Sequence, residues 1–259
     1  MSSVTQRIEQ IKQPRGGYLR PSQFRSEVLD DGIALSEVEN VHPSIVGLAV
    51  DYLTRFMMGT NKKDAFQISL KGVFIAETLN RKGSCELGIE LLKGITGLDD
   101  MSIINACKLV TFDVWFRNTS NAIVSKGPNE TNPDADTIRN IKILVQRSLK
   151  FWKVYGPITK DGFTFEPDGY TSTIDCGDGD YLTSDTLWDF KISKSKPTSK
   201  HTLQLLIYWI MGQHSGQSIY TSIKRLGIYN PRLNVVYTFD ITDKLKDTIK
   251  EIEEDVICY

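Results

Sequence analysis

Between Gly177 and Lys194 the chain reads GDGDYLTSDTLWDFKISK, and four of its charged side chains are spaced for a common task. They are Asp178, Asp180, Asp189 and Lys191. Ser184 and Asp185 are both favourable turn residues. A turn centred on them sets Thr183 opposite Thr186, Leu182 opposite Leu187, Asp180 opposite Asp189 and Asp178 opposite Lys191. Side chains alternate along a strand with period two, so the four charges would share one face of the hairpin. Cross-strand neighbours on one face stand about 4.5–5.5 Å apart at Cβ. Carboxylates that close repel one another unless a cation lies between them, and a hard divalent ion with oxygen ligands suits the gap. Such an ion acidifies a bound water and offsets charge building on a phosphorane. A lysine alongside orients or deprotonates the water, or stabilises the transition state. The chemistry to expect is therefore phosphodiester hydrolysis.

The elements that must position these groups are legible around them. Phe163 and Phe165 alternate with Thr164, Asp168–Gly169 is a hairpin-turn dipeptide, and Tyr170–Ile174 reads as strand. Short strands are predicted over Tyr181–Thr183 and Thr186–Ile192, then a helix over Ser199–Met211. Strands recur at Arg225–Tyr229 and Asn234–Phe239 with Asn230–Pro231 between them, and an acidic amphipathic helix over Asp243–Val256 follows. On the Ser199–Met211 helix Lys200, Gln204 and Tyr208 fall on one stripe, with Leu203, Leu206, Ile207 and Ile210 on the buried side. Upstream the pattern is helical. A basic leader with Arg15, Gly16, Gly17 and Arg20 precedes a helix opening at Asn40–Pro43 and closing at Gly59. Further helices are predicted near Leu70–Leu79, Cys85–Leu92 and Ser102–Phe116. Ser125–Asn132 reads as a loop, and Asn132–Pro133 opens a long helix towards Tyr155. The class is α/β, with a helical region over residues 1–156 and a β-β-β-α-β-β core over 157–259.

Asp189-Phe190-Lys191, with an acidic residue on the preceding strand, resembles the (D/E)xK half-motif of the PD-(D/E)xK nucleases. Gln204-Leu205-Leu206-Ile207-Tyr208 is similar to the Q-x-x-x-Y signature of the RecB-like exonuclease branch. The resemblance covers roughly residues 162–239 and implies a restriction-endonuclease-like core, a mixed sheet flanked by helices. It implies Mg²⁺ or Mn²⁺ held by Asp180 and Asp189, with Asp178 and the Phe190 carbonyl as further ligands. Lys191 would act on the attacking water, while Gln204 and Tyr208 would support the metal site and the DNA backbone. The Ile174-Asp175 pair resembles one common in that branch, which makes Asp175 a competitor of Asp180. Strand parity favours Asp180, unless a bulge at Gly177 or Gly179 shifts the register. Gly47-Leu48-Ala49-Val50-Asp51 looks like the branch's G-x-x-x-(H/D/E) element, which makes Asp51 a candidate ligand, with Glu77 and Glu86 as alternatives. No Pro-Asp pair precedes the motif, and the cysteine cluster of the iron–sulfur members is missing.

Each of these residues also has a plainer reading. The GDGD run fits a solvated turn, and Lys191 fits a charge guarding a sheet edge. Gln204 and Tyr208 fit a surface and core-edge pair, and Asp51 fits a solvated helix position. Lys194, Lys196 and Lys200 fit ordinary surface charge, or a track for the phosphate backbone beside a metal site. His42-Pro43 is a helix start, and three histidines (His42, His201, His214) make a histidine metal cage unexpected.

Bulk properties narrow the classes further. With a net charge of −1 over 259 residues, nucleic-acid contact would come from local patches and metal ions, not from a global field. No apolar run approaches the roughly 18 residues of a membrane span, and the first 13 residues lack a signal-peptide core, so a cytoplasmic location is expected. Cys85, Cys107, Cys176 and Cys258 form no CxxC pair and read as free thiols. The expectation is a metal-dependent nuclease, DNA favoured over RNA, in genome defence or mobile-element biology. The alternative is an inactive nuclease-like module that binds nucleic acid or a protein. The helical half would supply substrate recognition or a partner surface.

Overall fold

The computed structural model describes residues 2–79 and 81–259. In chain order the helices are α1 (Val4–Gln10), α2 (Pro43–Met57), α3 (Lys62–Ala65), α4 (Gln67–Thr78), α5 (Ser84–Lys93) and α6 (Asp100–Leu109). They continue as α7 (Asp113–Arg117), α8 (Thr119–Ala122), α9 (Ala135–Tyr155), α10 (Ser199–His214) and α11 (Lys246–Glu251). The strands are β1 (Arg25–Val28), β2 (Lys160–Phe163), β3 (Gly179–Leu182), β4 (Thr186–Phe190), β5 (Arg225–Asn230) and β6 (Val235–Asp240). The class is α/β with a mixed six-stranded sheet, and among the described residues no helix is long and apolar enough to cross a membrane.

The chain divides into two compact units, Gly32–Phe151 and a second built from Met1–Asp31 with Trp152–Tyr259. The split expected at 156/157 left the first 31 residues with the helical region. They join the sheet unit because β1 pairs with β6, Arg25 opposite Thr238 through Val28 opposite Val235. Val4, Ile8, Leu19 and Phe24 are also buried in that unit's core.

The sheet order is β1-β6-β5-β4-β3-β2. β4 and β5 run parallel, which a short turn cannot connect, and α10 is the crossover between them. Nearly every side of α10 is apolar. Leu203, Leu205, Leu206, Ile207, Ile210 and Met211 are all buried, as befits a helix covered all round. α10 packs on β4 and β5, and α1 and the π-helical turn Ile252–Ile257 pack on α10. Burial of each large apolar side chain contributes roughly 1.5–3 kcal/mol. On the other side of the sheet an aromatic layer forms. Trp152, from the last turn of α9, stacks on Phe190 at 5.3 Å and meets Tyr181 at 4.9 Å, while Tyr155 meets Trp188 at 5.5 Å.

The expected hairpin at Asp168–Gly169 is absent, and Tyr170–Ile174 is not a strand. β2 pairs instead with β3, Lys160 opposite Leu182 and Phe163 opposite Gly179. The residues between them loop over the core, burying Phe165 and Ile174. There Gly169 lies against the Phe165 and Met211 carbonyls, so close that a Cβ would stand 2.6 and 2.4 Å from them. The alternation Phe163–Phe165 thus marks burial in one aromatic cluster with Tyr208 and Tyr220 rather than a strand continuing through the turn.

The other unit is helical. Its helix α2 opens at His42, whose Nδ1 accepts from the Ser44 amide, and Asp113 is buried between the hydroxyls of Tyr52 and Ser69. Burial raises the Asp113 carboxyl above its ordinary value even though both hydroxyls donate to it.

Candidate active site

The register of β3 against β4 sets Leu182 opposite Leu187 and Tyr181 opposite Trp188, and the Thr183 amide donates to the Thr186 carbonyl. This is the expected turn at Ser184–Asp185. Leu182 and Leu187 belong to the core under α10, whereas Tyr181, Trp188 and Phe190 face the aromatic layer. By alternation, Asp180, Asp189 and Lys191 lie on the α10 side.

Asp189 is almost fully buried, at 3% exposure. Lys191 Nζ donates to its Oδ1 at 2.9 Å and to Gln204 Oε1 at 3.1 Å. Gln204 Nε2 in turn donates to the Tyr208 hydroxyl at 2.9 Å. Asp189, Lys191, Gln204 and Tyr208 therefore form one hydrogen-bonded line from the sheet onto the helix. The Lys191 backbone is fixed as well, its N–H donating to the Tyr229 carbonyl at 3.0 Å. The Asp180 carboxylate is anchored by the Phe190 amide at 2.8 Å, which ties β3 to β4 at the residue after Asp189.

The electrostatics are consistent with this geometry. Burial works against the Lys191 ammonium, but the Asp189 and Asp180 charges and the hydrogen bond to Asp189 outweigh it and hold its pKa above the usual lysine value. Burial raises the Tyr208 phenol, the Gln204 bond opposes this, and the charges of Asp189, Asp180 and Asp178 add to the rise. The three aspartates thus act on one hydroxyl.

Asp189 Oδ2 is buried and has no hydrogen-bond partner among the described residues. A buried, unpartnered carboxylate oxygen is costly, and a cation would relieve that cost. Among the described residues no group of three or more His, Cys, Asp or Glu side chains is arranged to hold a metal. The donors fit Mg²⁺ or Mn²⁺ bound by Asp189 and Asp180 alone, since Mg²⁺ keeps most of its waters and takes one or two carboxylates beside substrate phosphates. They do not fit a closed structural cage.

The remaining candidates fall in several places. Asp178 is exposed, just before β3. Asp175 is exposed and accepts from the Ser2 amide at 2.8 Å, a bond that lowers its carboxyl below the usual range. Lys194 and Lys196 are exposed on the segment joining β4 to α10, which Asn230 Nδ2 secures through the Ser193 carbonyl at 2.8 Å. Lys200 is exposed and pairs with Glu9 at 2.6 Å. Within the helical unit, Asp51 accepts from Arg55 Nε at 3.0 Å, one turn along α2. Glu77 accepts from the Gly83 and Cys85 amides, a local role at the start of α5, and Glu86 lies in that helix's first turn.

His201 is the residue that the sequence reading set aside. It stands three positions before Gln204 and seven before Tyr208 on α10, a spacing that shares a helix face and was available as a signal. Its Nδ1 accepts from the Thr198 amide at 3.2 Å, so the neutral ring carries its proton on Nε2. Burial lowers its pKa, the Lys191 charge lowers it further, and Asp189 partly opposes them, which places the ring in the field of the same cluster.

Comparison with protein-family models, with curated proteins and with solved structures gave no match to this chain.

Proposed function

We propose that this protein is a metal-dependent nuclease with a restriction-endonuclease-like core, related in pattern to the RecB-like PD-(D/E)xK enzymes. The observation that carries the reading is the line Asp189–Lys191–Gln204–Tyr208, with the buried Asp189 Oδ2 left without a hydrogen-bond partner beside it. Mg²⁺ or Mn²⁺, when bound by Asp189 and Asp180, supplies acidified water and neutralises charge at the phosphate. The chain's own residues do the rest. Asp180, held by the Phe190 amide, keeps its carboxylate in place without reorganising. Lys191 has two of its three N–H bonds engaged by Asp189 and Gln204, which aims the third for the attacking water or a phosphate oxygen. Gln204 and Tyr208 orient Lys191 and act through it. Lys194 and Lys196 would meet the flanking phosphates. Lys200 would join them by exchanging its exposed partner Glu9, since such surface pairs contribute only about 0–1 kcal/mol. DNA is favoured over RNA, and genome defence or mobile-element biology is the setting that the pattern suggests.

The test is incubation of the purified protein with linear, circular and single-stranded DNA and with RNA, with and without Mg²⁺ or Mn²⁺. Cleavage that needs the metal and disappears in Asp189→Asn supports the reading. A folded protein that cuts none of these substrates overturns it, and binding without cutting would mark a nuclease-like binding module.

A further inference from the structure

A cavity of about 420 Å³ opens in the helical unit, between residues 81–84 at the start of α5, helix α7 and the segment that follows α8. Its wall brings together three exposed cations, Arg81, Lys82 and Lys126. Among the described residues none of the three has a carboxylate within ion-pair distance. The acid on the wall, Glu130, is turned to the Gly127 amide at 3.2 Å. The neighbouring Glu77 feels the Lys82 charge, but its oxygens accept from the Gly83 and Cys85 amides. Positive charge therefore collects in a concave site, where low-dielectric walls concentrate its field.

The site also has planar and apolar surface. The Arg81 guanidinium lies 5.7 Å from the centre of the Trp115 ring, a contact that steadies a long side chain at the cavity wall. Ile123 and Val124, on the same wall, are 67% and 83% exposed. A bare anion would call for the cations alone. Indole, guanidinium and aliphatic surface beside them suit a ligand that is aromatic at one end and anionic at the other. Bases stack on aromatic rings and guanidinium planes, while their phosphates take lysine and arginine.

We infer that this cavity binds a nucleotide unit, free or within a single strand, with its phosphate at Arg81, Lys82 and Lys126 and its base against Trp115. The choice of a nucleotide over another aromatic anion rests on the nuclease reading.

The experiment is fluorescence anisotropy of a fluorescein-labelled single-stranded oligothymidine with the full chain in EDTA, so that no cleavage intervenes. Adenosine monophosphate and inorganic phosphate serve as unlabelled competitors. Arg81→Glu and Lys126→Glu, checked for folding by circular dichroism, should each weaken binding about tenfold or more. Trp115→Ala should weaken it about fivefold to 100-fold, and Trp115→Phe less, because a ring face remains. Displacement by the mononucleotide well below the concentration at which phosphate displaces supports a site for a free nucleotide. A labelled strand that the mononucleotide does not displace, but that the Arg81 and Lys126 variants release, supports a site within a strand. Wild-type protein that does not bind the labelled strand, charge-reversed variants that bind as the wild type does, or phosphate that competes as well as the nucleotide would each overturn the inference. Binding in EDTA that the Arg81 variant loses, from a protein that never cleaves, would keep the inference and remove the nuclease reading. Metal-dependent cleavage with binding indifferent to Arg81 and Lys126 would do the reverse.

Discussion

Lys191 does two things at once: it neutralises the buried Asp189, and it hands the arrangement on to Gln204. Removing its ammonium should cost roughly 100-fold or more in kcat, the scale of losing one oriented donor at a reacting centre. Lys191→Ala, assayed for cleavage and for unfolding in urea, is expected to lose activity while keeping a cooperative transition. Full activity in the folded variant would sink the assignment. Gln204→Ala leaves the ammonium in place but unhooks it from Tyr208, so a loss of about tenfold is expected, in keeping with a group that acts through another. A Gln204→Ala loss as deep as that of Lys191→Ala would mean that the glutamine itself touches the substrate. His201 offers a readout independent of turnover. Its folded pKa lies below the unfolded value, so the unfolded chain takes up the proton first as pH falls. The contribution to stability is therefore full above about pH 6.5 and declines below it. Measured by urea unfolding at successive pH values, His201→Asn should lose less stability below about pH 6.5 than the wild type does. Identical slopes would show that burial and the Lys191 charge do not together depress the ring's pKa.

At the scale of elements, β3 and β4 must run close and in register for the carboxylates to meet. Gly179 lets β3 lie close against β2 on its other side, because a Cβ there would stand 1.9 Å from the Phe163 ring on that paired strand. Gly227 gives the Trp188 ring the same allowance on β5. Gly179→Ala should destabilise by about 1–3 kcal/mol, the usual cost of overpacking, and should also reduce cleavage because Asp180 is the next residue. Urea unfolding that matches the wild type would show that β2 yields without strain. The hairpin was legible because turn residues and apolar alternation agreed on one register, with Leu182 opposite Leu187. Asp189, Lys191, Gln204 and Tyr208 were legible because their i, i+2 and i, i+4 spacings fix faces whatever the tertiary setting. His201 has the same kind of spacing, but its role depends on the Thr198 amide and on nearby charges that no local pattern records. β1 was illegible for another reason. All four of its residues, Arg25–Val28, are exposed, so no alternation marks them, and the strand exists because β6 presents an edge to pair with. Tyr170–Ile174 misled because burial in an irregular loop and burial in a strand leave the same apolar trace.

At the scale of the whole molecule, chain order and structural unit do not coincide, and this bears on how the protein can be divided. The sheet unit takes its edge strand β1 and the buried side chains of Val4, Ile8, Leu19 and Phe24 from the first 31 residues. It takes Trp152 and Tyr155, which back Phe190 and Trp188, from the end of α9. A fragment of residues 157–259, the core as the sequence pattern outlines it, would lack all of these. It would present the β6 edge unpaired, leave α10 uncovered where α1 packs, and expose the aromatic face behind β3 and β4. Four buried apolar side chains from the N-terminal segment alone account for roughly 6–12 kcal/mol of gross burial, comparable with the whole net stability of a domain. Expressed alone, residues 157–259 are therefore expected to show no cooperative thermal transition and to aggregate, whereas the full chain unfolds cooperatively. A chain in which residues 1–31 are joined by a flexible linker to residues 152–259, with 32–151 removed, should recover a cooperative transition and the hydrogen-bonded line of Lys191. Should the 157–259 fragment fold and cut on its own, the N-terminal strand and helix would be accessories to the sheet rather than parts of it.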